Sequence, residues 1–556
     1  MSEETGKQIH PVRIPDRRLR ALSRPNASDR RQSPRYKVDF PVEIIIGSGP
    51  NQQIIRAKAS DISDGGLRLS GLDLPGDHEK IKLRFHIPEG AMPEEFAARD
   101  YEVDGTVKVR HEKSGEVGVQ FGERLSLRLS RTTWNYLLWI SVIVLFVAAS
   151  LTIIARYQNL YYFWFDVPVF LYTISVGAYL VSRFIFAACY RAPRPVKEKP
   201  PLTVLIPTHN EEQYIERTIS HAFESDYPAD KLQVIAINDG STDETLAAMY
   251  RAKKKYPDLV IIHLEEQQGK RHALAAGTRV ASGEIIVYTD SDSFLCPDAL
   301  SKIVDGFADP EVAAVTGHCD VENASVNMLT KMQAVRYFIG FRVLKAAESI
   351  FDTVTCLSGP FTAYRREPLL GILDGWINQA FFGQPATFGD DRSLTNKLIR
   401  RGWKLKYDAR ARTTTMVPTR HRTFLRQQMR WKRSWFRESL KACFFIWKRQ
   451  PLMWLSFYAG FILPVISPAV VMRALVYIPV FQQGTPAMYL FGIFLMSALM
   501  SAAYLLVKRS RLWFYGVIFC FYYLLVLVWQ VPWAVLTFWV SSWGTRQTRS
   551  SEKGEV

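Results

Sequence analysis

The sequence predicts a mixed fold class: an α/β domain, transmembrane helices and an N-terminal antiparallel β-barrel. Short runs of alternating polarity fill residues 36–127, and strands alternate with helices from Pro201 onward. Apolar runs of about twenty residues lie on both sides of that second region. A chain of 556 residues is too long for one hydrophobic core, so we expect several domains.

The chain has more basic than acidic residues, which favours negatively charged partners. Lys and Arg together number 70, Asp and Glu 53, and the formal net charge is +17. This excess is compatible with nucleic acid, anionic lipid or phosphorylated ligands. The long apolar runs favour a lipid bilayer, and we predict no nucleic-acid partner. Six scattered cysteines without C-x-x-C spacing predict neither a zinc site nor a disulfide framework.

The N-terminal part of the chain is expected to be a basic leader followed by a small β domain. Residues 1–29 are rich in Arg, Pro and Ser, which predicts disorder, and no cleavable signal peptide is predicted. Residues 30–127 contain runs such as VEIII, IKLRF and GTVKVR, separated by Gly, Pro, Asn and Asp. Such runs are typical of an antiparallel barrel.

Two polar patterns lie in the predicted barrel. Arg31 and Arg35 form R-x-x-x-R just before the first strand, and Asp61, Ser63 and Gly66 form D-x-S-x-x-G. Two guanidinium groups can clamp a phosphate and stack on purine faces, while Asp and Ser at a turn can contact a base edge. Each pattern alone has an ordinary explanation, a solvated leader and an Asx-turn. Their occurrence together favours a ligand-binding function.

Residues 134–190 predict a transmembrane hairpin. Trp134–Ala155 and Phe163–Tyr190 are apolar runs long enough to cross a bilayer. Arg131 precedes the hairpin and RAPRPVKEK follows it. The positive-inside tendency therefore places the barrel and the residues after Arg191 in the cytoplasm. The alternative is a buried helical hairpin of a soluble protein.

Residues 200–437 alternate strands with helices, as in a doubly wound sheet. The segments LTVLIPTHN, KLQVIAINDGS and EIIVYTDSDS are predicted strands that end in polar residues. Ligand sites in such sheets lie at the carboxyl ends of the strands. We therefore expect Asp239, Lys270, Asp290 and Asp292 to come together at one edge.

These side chains suit a nucleoside diphosphate and a hard cation. Asp290 and Asp292 can supply oxygen ligands for Mg²⁺ or Mn²⁺ bridging a diphosphate, although D-x-D is more often structural. Asp239 could accept a hydrogen bond from a uracil N–H or cap a helix that begins near Thr242. Lys270 stands at a helix start, where the helix dipole and the ammonium group both attract phosphate.

Two motifs near the end of the α/β region predict a transfer reaction. The first is an acid pair, Asp390 and Asp391, and the second is Q-x-x-R-W, made of Gln427, Arg430 and Trp431. A carboxylate offers a general base, while Arg and Trp offer an anion clamp and a stacking plane for a sugar ring. The alternative is a solvated basic helix.

The last third of the chain predicts a return to the membrane. Residues 438–450 mix apolar and basic residues and predict an interfacial helix. Transmembrane helices are predicted within 453–540, where Arg473 would line a sugar path or reach the far interface. Pro532 could divide the last apolar run, which leaves five or six passes. The tail 541–556 is basic, and we favour a cytoplasmic location for it.

The barrel resembles the PilZ domain, a receptor for cyclic di-GMP. The resemblance rests on R-x-x-x-R, D-x-S-x-x-G and the closing GVQF. It implies that Arg31 and Arg35 hold the dinucleotide against Asp61, Ser63 and Gly66. Cyclic di-GMP would then act as an activator of the attached domains.

The five polar elements from Asp239 to Trp431, taken in order, resemble the processive, membrane-integrated family-2 glycosyltransferases, such as cellulose, chitin and hyaluronan synthases. This family has a GT-A catalytic domain, and the resemblance covers about residues 200–545. The segments CLSGPFTAYRR, FGDDRSLTN and FLRQQMRWKRSWFRE are most similar to hyaluronan and chitin-oligosaccharide synthases. In two departures, Asn238 replaces a second Asp of many relatives and G-D-D replaces the T-E-D of cellulose synthase.

The family resemblance implies an inverting displacement, in which an acceptor hydroxyl attacks C1 of a nucleotide-diphosphate sugar. Asp391 would be the general base, supported by Asp390. The other implied roles are nucleotide and metal binding by Asp290 and Asp292, uridine binding by Asp239, contact with the leaving diphosphate by Arg430, and acceptor binding by Trp431 and Gln427.

We therefore predict a cyclic di-GMP-regulated β-glycosyltransferase of the bacterial inner membrane, which polymerises and exports an exopolysaccharide with its catalytic and PilZ domains in the cytoplasm. Periplasmic export partners are compatible with this role. Two alternatives stay open: a non-processive transferase making a short oligosaccharide or glycolipid, and an inactive cyclic di-GMP receptor that scaffolds a secretion complex. UDP-GlcNAc, UDP-GlcA, UDP-glucose and GDP-sugars all remain candidate donors.

Overall fold

The computed structural model describes residues 35–46, 53–63, 65–70, 80–88, 99–111, 116–121, 125, 166–381, 384–385, 388–482 and 486–540. The leader 1–29, Arg31, the predicted span Trp134–Ala155 and the tail 541–556 lie outside these residues. The chain divides into two compact units, Met1–Leu83 with Val103–Gly122, and Arg84–Glu102 with Glu123–Val556.

The N-terminal region contains six strands: β1 (Arg35–Ile46), β2 (Gln53–Ser63), β3 (Gly66–Ser70), β4 (Lys80–Ile87), β5 (Arg99–His111) and β6 (Glu116–Phe121). They close into a barrel in the order β1-β2-β3-β6-β5-β4. Side chains alternate between core and solvent, and on β4 the residues Ile81, Leu83, Phe85 and Ile87 are all buried. The predicted N-terminal barrel is confirmed.

Helix α1 (Val167–Cys189) precedes the α/β domain. Asp166 caps it, because its side chain accepts a hydrogen bond from the Val169 N–H at 3.2 Å, and Pro168 occupies the first turn. The 23-residue helix is long and apolar enough to cross a membrane. It corresponds to the second run of the predicted hairpin.

The strands of the α/β domain are β7 (Leu202–Thr208), β8 (Leu232–Asp239), β9 (Val260–Leu264), β10 (Ile285–Tyr288), β11 (Ser293–Leu295), β12 (Val312–Val321), β13 (Thr362–Arg365), β14 (Ala380–Phe381), β15 (Gln384–Pro385) and β16 (Lys404–Thr415). Eight of them form one sheet in the order β11-β16-β12-β13-β10-β7-β8-β9, and β14 pairs with β15. Strands β10, β7, β8 and β9 are parallel, whereas β13 is antiparallel to β10 and β12. One half of the sheet therefore has the parallel strands predicted for a doubly wound fold, and the other half contains both parallel and antiparallel pairs.

The helices of the α/β domain are α2 (Ile215–Phe223), α3 (Thr245–Lys255), α4 (Lys270–Val280), α5 (Ala299–Ile303), α6 (Met328–Phe338), α7 (Ala346–Ser349), α8 (Arg366–Ile377), α9 (Asp390–Arg400) and α10 (His421–Cys443). They cover both faces of the sheet, so β7 is buried along its whole length. Successive residues Val204 and Leu205 belong to different hydrophobic clusters, one on each face.

Helix α10 is longer than the sequence boundaries suggest. The boundary predicted at residue 437 falls inside the helix, and Glu438, Ser439 and Ala442 in its last two turns are buried. The exposed apolar side chains expected of an interfacial segment occur just after Cys443, where Phe444 and Trp447 are 82% and 57% exposed. The interfacial position stays a prediction, and the exposed apolar side chains limit it to the residues after Cys443.

The C-terminal region contains α11 (Pro451–Met472), α12 (Ile478–Phe481), α13 (Ala487–Lys508), α14 (Trp513–Tyr522) and α15 (Gln530–Leu536). Across the part of the chain that the structure describes, three helices are long and apolar enough to cross a membrane, or four if the bent pair Trp513–Leu527 and Gln530–Leu536 is one span. That pair is bent by 50° before Pro532, which lies in the first turn of α15. Proline suits this position because a first-turn N–H has no intrahelical partner.

Arg473 has a partner that the sequence did not identify. Its Nε lies 3.0 and 2.8 Å from the two carboxylate oxygens of Asp166, the residue that caps α1. This pair joins α1 to the span that begins at Pro451. Arg473 is not among the described residues that line the large cavity, so the ion pair with Asp166 accounts for its charge without a sugar path, while a position at the far interface stays a prediction.

Candidate active site

A cavity of about 1190 Å³ opens at the carboxyl ends of β8 and β10. Its walls come from the sheet edge, from α6, α9 and α10, and from membrane helices α11, α13, α14 and α15. The predicted residues that line it are Asp239, Lys270, Asp290, Asp292, Asp390, Asp391, Gln427, Arg430 and Trp431. Every candidate residue of the α/β domain therefore contributes to one cavity.

The two members of the acid pair have different partners. Asp390 forms an ion pair with Arg271 Nε, and its backbone carbonyl accepts a hydrogen bond from Trp376 Nε1 at 3.1 Å. Asp391 Oδ1 accepts from the Arg392 N–H at 2.8 Å, and its Oδ2 lies 3.6 Å from Cys356 Sγ. Asp390 is thus tied to a buried cation, whereas the hydrogen bonds of Asp391 come from neutral groups.

Gly389 allows the acid pair to lie against α10. It precedes the first residue of α9 with φ of 80°, a left-handed conformation that glycine adopts without strain. A Cβ atom at this position would lie 1.9 Å from Ser434 Oγ of α10. Arg437 Nη2 of the same helix donates to the Phe388 carbonyl at 2.5 Å. The G-D-D motif is therefore fixed to the Q-x-x-R-W helix by direct packing.

Lys270 and Asp290 form an ion pair at the sheet edge. Burial acts to lower the pKa of Lys270, but the negative charges of Asp290, Asp390 and Asp391 outweigh it and raise the pKa above its ordinary value. Asp292 follows in the turn after β10, and its Oδ1 lies 3.4 Å from Thr415 Oγ1. The site thus combines a protonated ammonium group with two carboxylates.

The Asp290 and Asp292 carboxylates fit a divalent cation in part. Within the described ranges, no group of three or more His, Cys, Asp or Glu is arranged to hold a metal ion. Two hard oxygen donors beside the Lys270 ammonium group nevertheless match Mg²⁺, which commonly takes one or two protein carboxylates and completes its coordination with phosphate and water. These two residues would hold the ion together with the substrate.

Asp239 does not cap the helix that follows β8, as one reading of the sequence suggests. Its two carboxylate oxygens accept hydrogen bonds from the Gln268 and Gly269 N–H groups at 2.7 and 2.9 Å. The helix after β8 begins at Thr245, so the cap predicted near Thr242 is wrong. Asp239 instead holds the loop that leads into Lys270, and it still lines the cavity.

Helix α10 presents Gln427, Arg430 and Trp431 to the cavity. Trp431 is 37% exposed although it is a large aromatic residue, and the Tyr337 ring lies 6.5 Å from it, centroid to centroid. Gln427 Oε1 is buried without a hydrogen-bond partner among the described residues. An accessible indole face next to amide and guanidinium groups can bind a sugar ring.

The membrane end of the cavity is formed by small and aromatic residues. Its lining there includes Gly460 and Pro464 of α11, Ser501 of α13, and Gly516 and Phe519 of α14. The cavity therefore continues from the acid pair into the helices that could cross a membrane.

Four of the five predicted barrel-site residues lie in described strands. Arg35 of β1 is the register partner of Ser63 of β2, and Ser63 is in turn the partner of Gly66 of β3. Asp61 forms an ion pair with Arg68, whose Nε lies 3.2 Å from its carboxylate. The strand pairing thus brings three motif residues next to one another.

Some site residues were not recognised from the sequence. Arg271, Trp376 and Arg437 support the acid pair, and Cys356 touches Asp391. The position of Arg271 directly after Lys270 was the only local signal. The partner of Arg271 is 119 residues away, so no spacing rule could reveal the contact.

The fold and the cavity define a class of protein: a GT-A glycosyltransferase joined to membrane helices and to a β-barrel. Family models match the chain in two places, the PilZ domain at residues 29–139 and glycosyl transferase family 2 at residues 203–372. The chain belongs to glycosyl transferase family 2 and carries a PilZ domain, so the resemblances, the fold class and the enzyme class predicted from the sequence are confirmed.

Two relatives, an N-acetylglucosaminyltransferase and a hyaluronan synthase, agree with this assignment. An N-acetylglucosaminyltransferase of Rhizobium meliloti (strain 1021) is 34% identical over 280 residues, which cover 49% of this chain and 66% of the relative. A hyaluronan synthase of Streptococcus pyogenes is 33% identical over 293 residues, which cover 51% and 68%. The solved structure of a mannosyltransferase from Pyrobaculum calidifontis in complex with GDP-Man and Mn²⁺ is 24% identical, with a TM-score of 0.45, and covers 64% of this chain and 99% of that one.

Proposed function

We propose that this protein is a processive polysaccharide synthase. It would transfer sugar residues from a nucleotide-diphosphate donor to the end of a growing β-linked polymer, export the polymer through its own membrane helices, and respond to cyclic di-GMP. The observation that carries this proposal is the single cavity that joins the acid pair to membrane helices α11, α13 and α14.

Donor binding is assigned to the sheet edge. The loop held by Asp239 would contact the nucleoside, and Lys270 would neutralise the diphosphate at the start of α4. Asp290 and Asp292 would hold Mg²⁺ or Mn²⁺, and such an ion supplies Lewis-acid stabilisation of a leaving diphosphate. Binding of the donor would also replace Asp290 as a partner of the Lys270 ammonium group.

Proton removal is assigned to Asp391. The acceptor hydroxyl attacks C1 of the sugar while its proton passes to the Asp391 carboxylate, and the C1–oxygen bond to the diphosphate breaks with inversion. Asp390 would stay paired with Arg271 and position the first turn of α9. The different partners of the two carboxylates support these unequal roles.

The leaving group and the acceptor are assigned to α10. Arg430 would stabilise the departing diphosphate, and Trp431 would stack under the terminal sugar beside Gln427. The helix is held against the acid pair through the Phe388–Arg437 hydrogen bond and the Gly389–Ser434 packing. One rigid unit would thus align base, acceptor and leaving group.

Regulation is assigned to the barrel. The neighbouring positions of Arg35, Ser63 and Gly66 support cyclic di-GMP binding there, with Arg31 and Asp61 as further contacts. Bound dinucleotide would activate synthesis. The membrane is proposed to be the bacterial inner membrane, with the barrel and the catalytic domain on the cytoplasmic side.

The test is synthesis by the full chain in membrane vesicles supplied with radiolabelled nucleotide sugars, Mg²⁺ and cyclic di-GMP. We expect a labelled polymer retained on gel filtration and a clear drop in yield without the dinucleotide. Release of nucleotide with only di- or trisaccharide products would support the non-processive alternative. Absence of nucleotide release from every donor would contradict the proposal.

A further inference from the structure

Arg336 of α6 lines the cavity beside Trp431, the residue proposed to stack under the acceptor sugar. Its guanidinium carbon lies 5.5 Å from the centroid of the Trp431 ring and 5.4 Å from that of Phe519 on α14. Its Nη1 is buried and has no hydrogen-bond partner among the described residues. The side chain therefore occupies the point where the catalytic cavity meets the membrane helices.

The charges around Arg336 differ from those in the rest of the cavity. At the sheet edge, Lys270 pairs with Asp290 and Arg271 pairs with Asp390. Of the carboxylates among the described lining residues, Asp239, Asp290, Asp292, Asp390 and Asp391 belong to the sheet edge and the acid pair, and Glu348 of α7 bonds to Thr355. The end formed by α6, α10 and the membrane helices has none.

Lys432 adds a second positive charge near Arg336. Its Nζ donates to the Leu527 carbonyl at 2.8 Å and to Gln530 Oε1 at 3.0 Å, which are both neutral oxygens. Burial, and then the charge of Arg336, lower the pKa of Lys432 to about 7. Burial also lowers the pKa of Arg336. Among the described residues, Arg336 and the Lys432 amine thus share a buried region in which no carboxylate is recorded as a partner of either.

An uncompensated buried guanidinium is costly, because it loses hydration without gaining a counter-charge. The aromatic contacts of Arg336 offset part of that cost, since a cation over an aromatic face is attracted to the ring more strongly when it is desolvated. The remaining hydrogen-bonding capacity is available to a ligand that enters the cavity. Its position beside Trp431 points to the acceptor rather than to the nucleotide.

We propose that Arg336, assisted by Lys432, binds a carboxylate on the acceptor sugar, so that the polymer made by this protein contains uronic acid residues. This inference rests on the proposed polysaccharide synthase activity. A planar guanidinium matches a carboxylate in two parallel hydrogen bonds, whereas a neutral hexose offers only hydroxyl groups. The diphosphate of the donor has its own cations, Lys270 and Arg430.

The first experiment measures acceptor binding by the purified full-length protein in nanodiscs. The probes are a β-linked oligosaccharide containing glucuronate and its carboxyl-reduced counterpart, which differ only in the carboxylate. We expect the wild type to bind the acidic form about 10- to 100-fold more tightly, as for a hydrogen bond to a charged group. Arg336→Gln should remove this preference, and Arg336→Lys should retain part of it.

A matched control is Arg426→Gln, because Arg426 lies on α10 but is exposed and does not line the cavity. It should keep the wild-type preference. A wild type with equal affinity for both probes would overturn the inference, as would a preference that survives in Arg336→Gln. Loss of UDP affinity in Arg336→Gln, with the preference unchanged, would assign Arg336 to the diphosphate instead.

The second experiment separates this inference from the function on which it rests. Polymer synthesis is measured with UDP-GlcNAc alone and with UDP-GlcNAc plus UDP-GlcA. Incorporation of both labels by the wild type, with Arg336→Gln losing glucuronate incorporation at least about 10-fold, supports the inference. A purely neutral polymer would contradict only the inference. Failure to release UDP from any donor would contradict the proposed function itself.

Discussion

The adjacent carboxylates of Asp390 and Asp391 are chemically identical but have different hydrogen-bond and ion-pair partners. Arg271, only 5% exposed at its side chain, binds Asp390 and makes it part of the support of α9. Asp391 faces Cys356 and the backbone N–H of Arg392, which suits its proposed role as the general base. A base needs a carboxylate that can gain a proton without breaking an ion pair.

We predict that substitution of Asp391 mainly impairs catalysis and that substitution of Asp390 mainly impairs stability. Asp391→Asn should lower polymer synthesis by about 10²- to 10⁴-fold, the usual contribution of a general base, while UDP binding persists. Asp390→Asn should instead lower stability by about 3–5 kcal/mol, because it leaves Arg271 buried and unpaired. Thermal unfolding and synthesis assays on both variants provide the check. Equal loss of stability in both would refute the division of roles.

Gly389 gives a second prediction at the level of one residue. An alanine there would adopt φ of 80° and place its Cβ 1.9 Å from Ser434 Oγ. The left-handed conformation costs about 1–2 kcal/mol and the contact adds to it, so synthesis and unfolding temperature should both fall. The double variant Gly389→Ala with Ser434→Gly should recover part of the loss. A single variant as stable as the wild type would contradict the packing argument.

At the level of elements, α10 serves both the reaction and the membrane region. One side of the helix presents Arg430 and Trp431 to the cavity. The next residue, Lys432, donates to the Leu527 carbonyl beside the break between α14 and α15, and Gln530 Nε2 donates back to the Leu425 carbonyl at 3.2 Å. A broken helix leaves carbonyl groups without intrahelical partners, and Lys432 satisfies one of them.

The pKa of Lys432, lowered to about 7, predicts a pH-dependent stability. An ordinary lysine in the unfolded chain keeps its proton up to about pH 10.4, so between pH 7 and that value the unfolded state binds more protons. Stability should therefore rise with pH over this window, on the order of 1 kcal/mol per unit from this group. Unfolding measured at pH 7.5 and 9 should show a smaller rise in Lys432→Met, and an identical rise would contradict this assignment.

A buried ion pair links the sheet to another membrane helix. Lys508 at the end of α13 lies 2.7 Å from Asp320 of β12, and His318 Nε2 lies 3.2 Å from the same carboxylate. Asp320→Asn should cost about 3–5 kcal/mol, because it removes the carboxylate charge that faces the buried Lys508 ammonium group. Thermal unfolding measures this loss. Asp374→Asn, which removes an exposed pair with Arg279, is the control and should cost less than about 1 kcal/mol.

The elements differ in how well the sequence predicts them. The ends of β8 and β10 were predicted because apolar runs identify buried strands, and polar residues that follow them meet at one edge of the sheet. The pairs Arg271–Asp390 and Arg473–Asp166 depend on packing between distant segments, and no local pattern records them. The boundary inside α10 was missed because Glu438 is buried by Gln379, Asn396 and Arg437, whereas its sequence context is that of a surface helix.

At the level of the whole molecule, the chain combines two compact units with separable chemistry. The barrel contains strand-paired motif residues but none of the cavity-lining ones. The second unit contains the cavity and all described helices that could cross a membrane. Control of synthesis by cyclic di-GMP, as proposed, requires that ligand binding to one unit change the activity of the other.

This separation predicts that a substitution in the barrel can impair cyclic di-GMP binding without impairing donor binding, and that a substitution in the acid pair can impair catalysis without impairing cyclic di-GMP binding. Asp61→Ala should lower cyclic di-GMP affinity at least about 10-fold, since it removes a carboxylate proposed to bind the base, and should shift activation to correspondingly higher dinucleotide concentrations while UDP binding is unchanged. Asp391→Asn should bind cyclic di-GMP as the wild type does and make no polymer. Asp104→Asn, which changes an exposed carboxylate of the barrel, is the matched control. Titration calorimetry with both ligands, beside synthesis over a range of dinucleotide concentrations, measures all three variants. Full activation of Asp61→Ala at wild-type ligand concentration would show that the D-x-S-x-x-G motif does not control the enzyme.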